Sequence, residues 1–468
     1  MAHLLCGLVH YLARRALAWG GHLGDSTRNE CWRRRSAVTI TGRRIDSADA
    51  ERVAAEARRV LRSNRQSGIS DWDGMRYDFV CPSPTHYPFQ WFWDSAFHAI
   101  ALLHIDPELS RQELRCLMQG AQSNGFQGHM LLWERDAHKR WLNEEYSIRL
   151  AHPFYTATIQ PPVVARAVER IFEVTGDQAF VREILPPMVR FFDWLARVRD
   201  PDDDGLVAII QPDESGLDAS PKYDKAMRIP HDPPTHTLPA LQQSMQRLFD
   251  AYKGATAEAQ PLLDVFLFED VMVNAIYADG LRALARLSRA VGAPEPDRFE
   301  RASQRTLDAL MAKCWDADAG LFWDLSGVAE ERARVLTFTS LFPLILPDLD
   351  AAVAKRLVRE HLLNEKEFWL PYPVPSVAAS EVTFDPAWQT KTTWRGPTWV
   401  NVNWYLYWGL RAHGFDDIAS ELARRTVAMQ ARGGIREFYD PFTAEGYGAT
   451  DFGWSCLSLD LIAAETSG

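Results

Sequence analysis

No run of about eighteen consecutive apolar residues occurs in the chain, so a membrane-spanning helix of ordinary length is excluded. Cysteine is sparse: the 468 residues hold six, Cys6, Cys31, Cys81, Cys116, Cys314 and Cys456, with no C-x-x-C pair. That usage excludes a dense disulfide scaffold, offers no zinc or redox motif, and fits a reducing cytosol. N-x-[ST] sequons are also missing, in line with a cytoplasmic location. Basic charge is in deficit: 51 Lys and Arg stand against 62 Asp and Glu, a net charge of −11. This argues against nucleic acid or an anionic membrane as partner and leaves a small neutral or mildly acidic molecule. P-loop, helix-opening G-x-G-x-x-G, H-E-x-x-H and G-x-S-x-G patterns are absent. Phosphoryl transfer, dinucleotide chemistry, metalloprotease and serine-esterase readings lose their usual support.

Period-two alternation is scarce, limited to pieces such as GLVAII at 205–210. Helical spacing is abundant. Val164, Val168, Ile171 and Phe172 form one stripe, and after Gly176-Asp177 a second follows with Val181, Ile184, Leu185, Met188, Phe192 and Leu195. The same hairpin pattern returns at 271–292 with 298–315, and at 403–414 with 421–434. Each hairpin can bury its apolar face only against its neighbours, so repetition over about 400 residues predicts an all-α toroid of inner and outer helices. Pro- and Gly-rich stretches at 81–88, 212–234 and 371–387 read as long loops over a pocket. The segment EFWLPYPVPSVAAS at 367–380 is a candidate lid.

Residues 1–47, with Arg33, Arg34, Arg35, Arg43 and Arg44, match the rest in neither charge nor pattern and read as a poorly ordered extension ahead of one domain, 48–468. The apolar stretch at 4–13 lacks a preceding basic region, which argues against a signal peptide.

Two acidic segments far apart, DESGLDASPKYD at 213–224 and REFYDPFTAEGYG at 436–448, are set among glycine, proline and aromatic residues. Hydrolysis of a glycosidic bond needs one protonated carboxylic acid for the leaving oxygen and one carboxylate for water or direct attack. Asp218, after flexible Ser215-Gly216, is the candidate acid, and Glu437, among aromatics and near glycines, is the candidate for the second carboxylate. A solvated turn for the first segment, and a Glu437 paired with Arg436 or Arg432 for the second, are the competing structural readings. The 17 tryptophans cluster. YPFQWFWDSAFHAI at 87–100 places Trp91, Asp94 and His98 at one-face spacing, and WRGPTWVNVNWYLYWGL at 394–410 adds Trp394, Arg395, Trp399, Asn401 and Trp404. Aromatic planes stack on sugar faces while polar groups bind hydroxyls. Phe92, Phe97, Tyr407 and Trp408 are expected in the core. Asp94 is expected in a site, because an acid in so apolar a run is costly to bury without partners. Asp200, Asp202, Asp204 and Gly205 satisfy half of an EF-hand loop, but Gln211 stands where a bidentate Glu is required, so the stretch reads as a tight turn and no metal is assigned.

Together FQWFWDSAFHA, ATIQPPVVA, DESGLDASPKYD, WRGPTWVNVNW and REFYDPFTAEGYGATDFGWS resemble glycoside hydrolase family sixty-three, in particular its small bacterial members that hydrolyse mannosylglycerate or glucosylglycerate. The resemblance runs from about residue 48 to the C-terminus. It implies an (α/α)6 barrel and an inverting mechanism, with the general acid on Asp218 and the general base on Glu437. It also implies sugar-binding residues at Gln90, Trp91, Trp93 and Asp94, and at Trp394 and Arg395. An inverting pair predicts carboxyls about 6.5–9.5 Å apart. Arg395, Tyr77 and Gln127 are candidates to receive a glycerate carboxylate. Ala219 and Thr393 depart from the common pattern and leave the substrate open. No cofactor is required. A homo-oligomer is compatible with the sequence. A trehalase or α-glucan glucosidase, a sugar isomerase on a similar toroid, and a non-catalytic carbohydrate binder are the alternatives.

Overall fold

A computed structural model describes residues 40, 42, 44–134, 150–152, 154–231, 237–251 and 265–466. The expected N-terminal extension falls almost entirely outside the described residues, as do Cys6 and Cys31. The first helix of the described residues starts where a cap is encoded. The Asp46 side chain accepts from the backbone N–H groups of Ala48 and Asp49 and so caps α1, Ser47–Ser63. One face of α1 is apolar and buried, carried by Val53, Ala54, Ala57, Val60 and Leu61.

Helical hairpins follow in chain order. Phe92–Leu102 (α2) pairs with Pro107–Gln119 (α3), and Val164–Thr175 (α4) with Gln178–Val198 (α5). Thr237–Ala251 (α6) packs on the short turn at Asp224–Met227, and Val271–Val291 (α7) then pairs with Pro296–Ala309 (α8). The 3-10 stretch Phe338–Ile345 meets the π-helical turn at Leu357–Leu362 that continues Ala351–Arg356 (α9). Val400–Ala412 (α10) pairs with Asp416–Gly433 (α11). Ser458–Thr466 (α12), entered through Gly453–Leu457, packs back on α1, so the two ends of the described chain form the sixth pair.

The first member of each pair contacts the next in a closed ring: α2 to α4, α4 to α7, α7 to 338–345, that stretch to α10, α10 to 453–457, and 453–457 back to α2. This is the (α/α)6 toroid. Ring position explains the composition of the inner helices, since every residue of α2 is buried, as a helix packed on all sides requires. Outer helices are amphipathic instead; α8 buries Phe299, Ser303, Thr306 and Leu307 and turns charged residues outward. The three hairpins read from the sequence are present. Phe92, Phe97 and Tyr407 are fully buried in the core, while Trp408 is half-buried. Among the described residues no helix is long and apolar enough to cross a membrane.

Two expectations are corrected. GLVAII is not a ladder strand: only Ile209 pairs, with Phe268, in an isolated bridge. Side chains take over the backbone pairing, with Val207 N–H donating to Asn274 Oδ1 at 2.7 Å and Ile210 N–H to Glu214 at 2.9 Å. The 367–380 segment is not a lid in this structure. Phe368, Trp369, Leu370, Val374 and Val377 are buried. Backbone bonds from Tyr372 to Pro441, Ser376 to Pro397 and Ala378 to Leu336 fasten the segment on several sides. Release would expose that apolar surface and break those bonds together.

Candidate active site

At one end of the ring the long loops meet over a cavity of about 90 Å³. Asp213, Gly216 and Asp218 from the first acidic segment line it, as does Glu437 from the second. Two carboxyls far apart in sequence therefore open on one space.

The first segment is held from behind. Glu214 is fully buried, grips Arg199 with both oxygens (2.6 Å to Oε1), and accepts the Ile159 N–H at 3.0 Å. Ser215 accepts from Tyr223 Oη (2.8 Å) and from Leu217 N–H. Buried Lys222 reaches Asp270 at 2.6 Å and Asp324 at 3.1 Å. Gly216 takes φ of +73°, and a Cβ there would lie 2.3 Å from the Trp93 ring, so only glycine lets the loop turn this close to the cavity wall. These anchors leave Asp213 and Asp218 facing the opening. Asp218 is exposed because it opens on the cavity, yet protein surrounds it on every other side, and that burial raises its pKa; Thr393 Oγ1 donates to its Oδ2 at 3.4 Å.

Glu437 sits on the first strand of the hairpin Arg436–Tyr439 and Gly446–Thr450. Tyr87 donates its hydroxyl to Oε1 at 3.1 Å, and the Ala449 N–H donates to Oε2 at 2.6 Å. Pairing of Thr398 with Tyr439 (2.8 and 3.0 Å) locks this hairpin to the W-R-G-P segment.

Between the carboxyls stand aromatic walls. Trp394 and Trp399 stack with centroids 3.7 Å apart and planes 7° apart, and Trp93 meets Trp454 edge-on at 5.2 Å. Trp91 stacks on His129 at 5.3 Å. Asp94 lies at the first turn of α2, and burial pushes its carboxyl well above the ordinary range, helped by the charge of Glu437. His129 donates to or accepts from Thr158 Oγ1 at 2.6 Å and is driven down to about 3 by burial, so its ring stays neutral in ordinary buffers. Gln160 accepts the Trp93 N–H through Oε1 at 3.0 Å, which turns its amide nitrogen away from that bond. Among the described residues no Arg or Lys lines the cavity.

A stacking aromatic pocket closed around paired carboxyls suits a sugar ring and the protonation of its leaving oxygen. A family model described as the mannosylglycerate hydrolase MGH1-like glycoside hydrolase domain matches residues 87–455. The chain belongs to this glycoside hydrolase family. A mannosylglycerate hydrolase of Thermus thermophilus is 33% identical over 410 residues, covering 81% of this chain and 94% of that protein. A glucosylglycerate hydrolase of Mycolicibacterium hassiacum is 26% identical over 424 residues, covering 81% and 92%. The crystal structure of a GH63 mannosylglycerate hydrolase of Thermus thermophilus in complex with Tris superposes with a TM-score of 0.75 at 30% identity, covering 88% of this chain and all of the other. The chain is an inverting glycoside hydrolase of the helical-toroid kind.

Six of the ten residues expected in this glycosidase's site meet at the cavity: Asp218, Glu437, Trp91, Trp93, Asp94 and Trp394. Four do not line it. Tyr77 donates to Glu134 at 3.2 Å and stacks on Trp133. Gln90 is turned behind the wall, where it donates to Ser95 (3.1 Å) and accepts from Trp133 Nε1 (2.9 Å). Gln127 is buried outside the cavity, with no hydrogen-bond partner for either amide atom among the described residues. Arg395 is consumed by a buried ion pair with Asp224, Nη1 to Oδ2 at 3.2 Å. His98, expected on one face with Asp94, instead bonds the Val80 carbonyl at 2.9 Å. The cavity adds Tyr87, His129, Gln160, Asp213, Trp399 and Trp454. All but His129 fall inside motifs already singled out; His129 carried no local signal.

The half EF-hand is a turn, with the Asp200 carboxylate accepting from the N–H groups of Asp204 and Gly205. Oxygens of Asp202, Asp204, Glu269 and Glu330 gather within 4.8 Å of one another, and Lys313 bonds Asp204 and Glu330, supplying positive charge.

Proposed function

We propose that this enzyme hydrolyses a small α-linked hexosyl glycerate, mannosylglycerate first and glucosylglycerate second, with Asp218 as general acid and Glu437 as general base. The observation that carries the roles is the meeting of the two carboxyls at one aromatic-walled cavity, with opposite surroundings. Asp218 has few donors and is raised by burial, which suits an acid that must hold a proton. Both oxygens of Glu437 accept hydrogen bonds, which aims the carboxylate. Relatives with 33% and 26% identity that act on mannosylglycerate and glucosylglycerate support the substrate class.

In this reading the sugar stacks on the tryptophans, with Asp94 and Gln160 near its hydroxyls. Asp218 gives its proton to the glycosidic oxygen as the C–O bond breaks. Glu437 takes a proton from the water that attacks the anomeric carbon from the opposite face, so glycerate leaves and the sugar emerges inverted. Glu437 then returns its proton to solvent, and Asp218 regains one. Cytoplasmic residence fits four buried, unbridged thiols at Cys81, Cys116, Cys314 and Cys456.

The test is sugar release from mannosylglycerate, glucosylglycerate, trehalose and short α-glucans by the wild type, Asp218→Asn and Glu437→Gln. The proposal expects release from a glycerate substrate and losses of about 10²–10⁴-fold in either variant. Preference for trehalose or a glucan, or near-normal turnover in a folded variant, would overturn it.

A further inference from the structure

We propose that Asp213 is a positioning residue for the general acid: its carboxyl and that of Asp218 share one proton, which keeps Asp218 supplied for the leaving oxygen. The inference rests on the acid role of Asp218 given above and extends it to a residue in no assigned role.

The local contrast with Glu214 is informative. Glu214 is saturated by Arg199 and two backbone N–H groups. The carboxylate of Asp213, one residue earlier and on the cavity wall, has no hydrogen-bond or ion-pair partner among the described residues, while its backbone carbonyl accepts the Gly216 N–H at 2.9 Å. It and Asp218 flank the Gly216 turn, line the same space, and lie close enough for the charge of Asp218 to act on Asp213.

Among the described residues no cation lines the cavity to offset that pair. The titratable groups facing the cavity are Asp94 from α2, His129, Tyr87 and Glu437. His129 is held neutral by burial, burial likewise favours the neutral form of Asp94, and Glu437 adds only negative charge. Nearby cations are spent: Arg199 on Glu214, Lys222 on Asp270 and Asp324, Arg395 on Asp224. Burial raises both Asp213 and Asp218, the charges of Asp218 and then Glu214 raise Asp213 further, and hydrogen bonds that include those from Thr393 and Trp394 only partly offset the rise of Asp218. Two neighbouring carboxyls without a cation do not both ionise readily, so they titrate as a unit. When Asp218 gives its proton to the glycosidic oxygen, the pair becomes doubly negative, and that repulsion favours recapture of a proton from solvent. The same repulsion makes Asp218 a stronger holder of its proton at neutral pH than a lone cavity aspartate.

The test compares Asp213→Asn with wild type on mannosylglycerate and on the matching α-glycosyl fluoride, whose leaving group needs little protonation, across a pH series. A pair role predicts that the basic limb of kcat/KM on the glycerate substrate moves down by about one pH unit, with a loss of about tenfold at neutral pH. Activity on the fluoride stays within about twofold. Asp218→Asn is run beside it and should show the same leaving-group selectivity. If Asp213→Asn loses equally on both substrates with the limb unmoved, Asp213 is a sugar contact and the inference fails. An unchanged profile on both substrates also overturns it. If Asp218→Asn fails to discriminate the substrates, it is the acid assignment that falls. Asp213→Ser, checked by thermal melting, gives the same readout should the Asn variant not fold.

Discussion

Tyr87 and Glu437, 350 residues apart in sequence, are joined by a 3.1 Å hydrogen bond from the phenol to Oε1 across the cavity mouth. The contact links the loop before α2 to the C-terminal hairpin that leads into 453–457, its neighbour in the ring, so the base is oriented by the adjoining segment of the toroid. Tyr87→Phe keeps the ring and its edge contacts with Trp91 and Phe452 while deleting the donor. A hydrogen bond to a charged group contributes about 1.5–3 kcal/mol. Steady-state kinetics should show kcat down by about 10- to 100-fold, with the melting temperature close to wild type.

Gly448 enforces the other side of the same carboxylate. Its φ is +64°, and a Cβ there would stand 2.3 Å from Glu437 Oε2 and 2.6 Å from the Phe438 ring. Gly448→Ala must displace the base or break its bond with the Ala449 N–H. We expect kcat to fall by about tenfold or more, with a smaller change in KM, because misplacement by about 1 Å is costly to a proton transfer.

Arg395 is expected to matter for stability and not for glycerate recognition. Removing one partner of a buried ion pair leaves an uncompensated charge and costs about 3–5 kcal/mol. Urea unfolding of Arg395→Ala should show a loss of that size. Arg395→Lys should recover only part of it, since an ammonium cannot make the two-pronged contact with Asp224. A soluble, stable Arg395→Ala with only a raised KM would return Arg395 to the sugar site.

Glu269 predicts a pH dependence of folding. Burial first, then the charges of Asp204, Glu330 and Asp202, push its carboxyl from 4.5 to about 8. Between those values the folded chain keeps a proton that the unfolded chain releases. Stability from this group is therefore present below about 4.5 and lost as pH rises toward about 8. Glu269→Gln removes the titration. Its melting temperature relative to wild type should improve between about pH 5 and pH 8; a constant difference would show that Glu269 does not titrate in that window.

Much of this was legible in the chain itself. Hairpins with long apolar stripes, such as 164–195 and 271–309, declare themselves because each stripe is a local pattern. Asp218, Glu437, Trp91, Trp93, Asp94 and Trp394 stood out because an acid or an indole in a Gly-, Pro- or aromatic-rich stretch is unusual wherever the fold places it. Direction was not legible. Gln90 and Trp91 are neighbours on one strand, and alternation sends one behind the wall and the other into the cavity. Arg395 follows Trp394, and its partner Asp224 lies 171 residues away, so its engagement depends on tertiary structure alone. His129 sits in an unremarkable stretch and gains meaning only from Trp91 and Thr158 beside it.

The most direct measurement is proton NMR of the first sugar released by the wild-type enzyme from α-linked mannosylglycerate. The β-anomer should appear first and then mutarotate, as attack by a water held at Glu437 opposite the leaving oxygen requires. First release of the α-anomer, or no release from mannosylglycerate or glucosylglycerate, would contradict it.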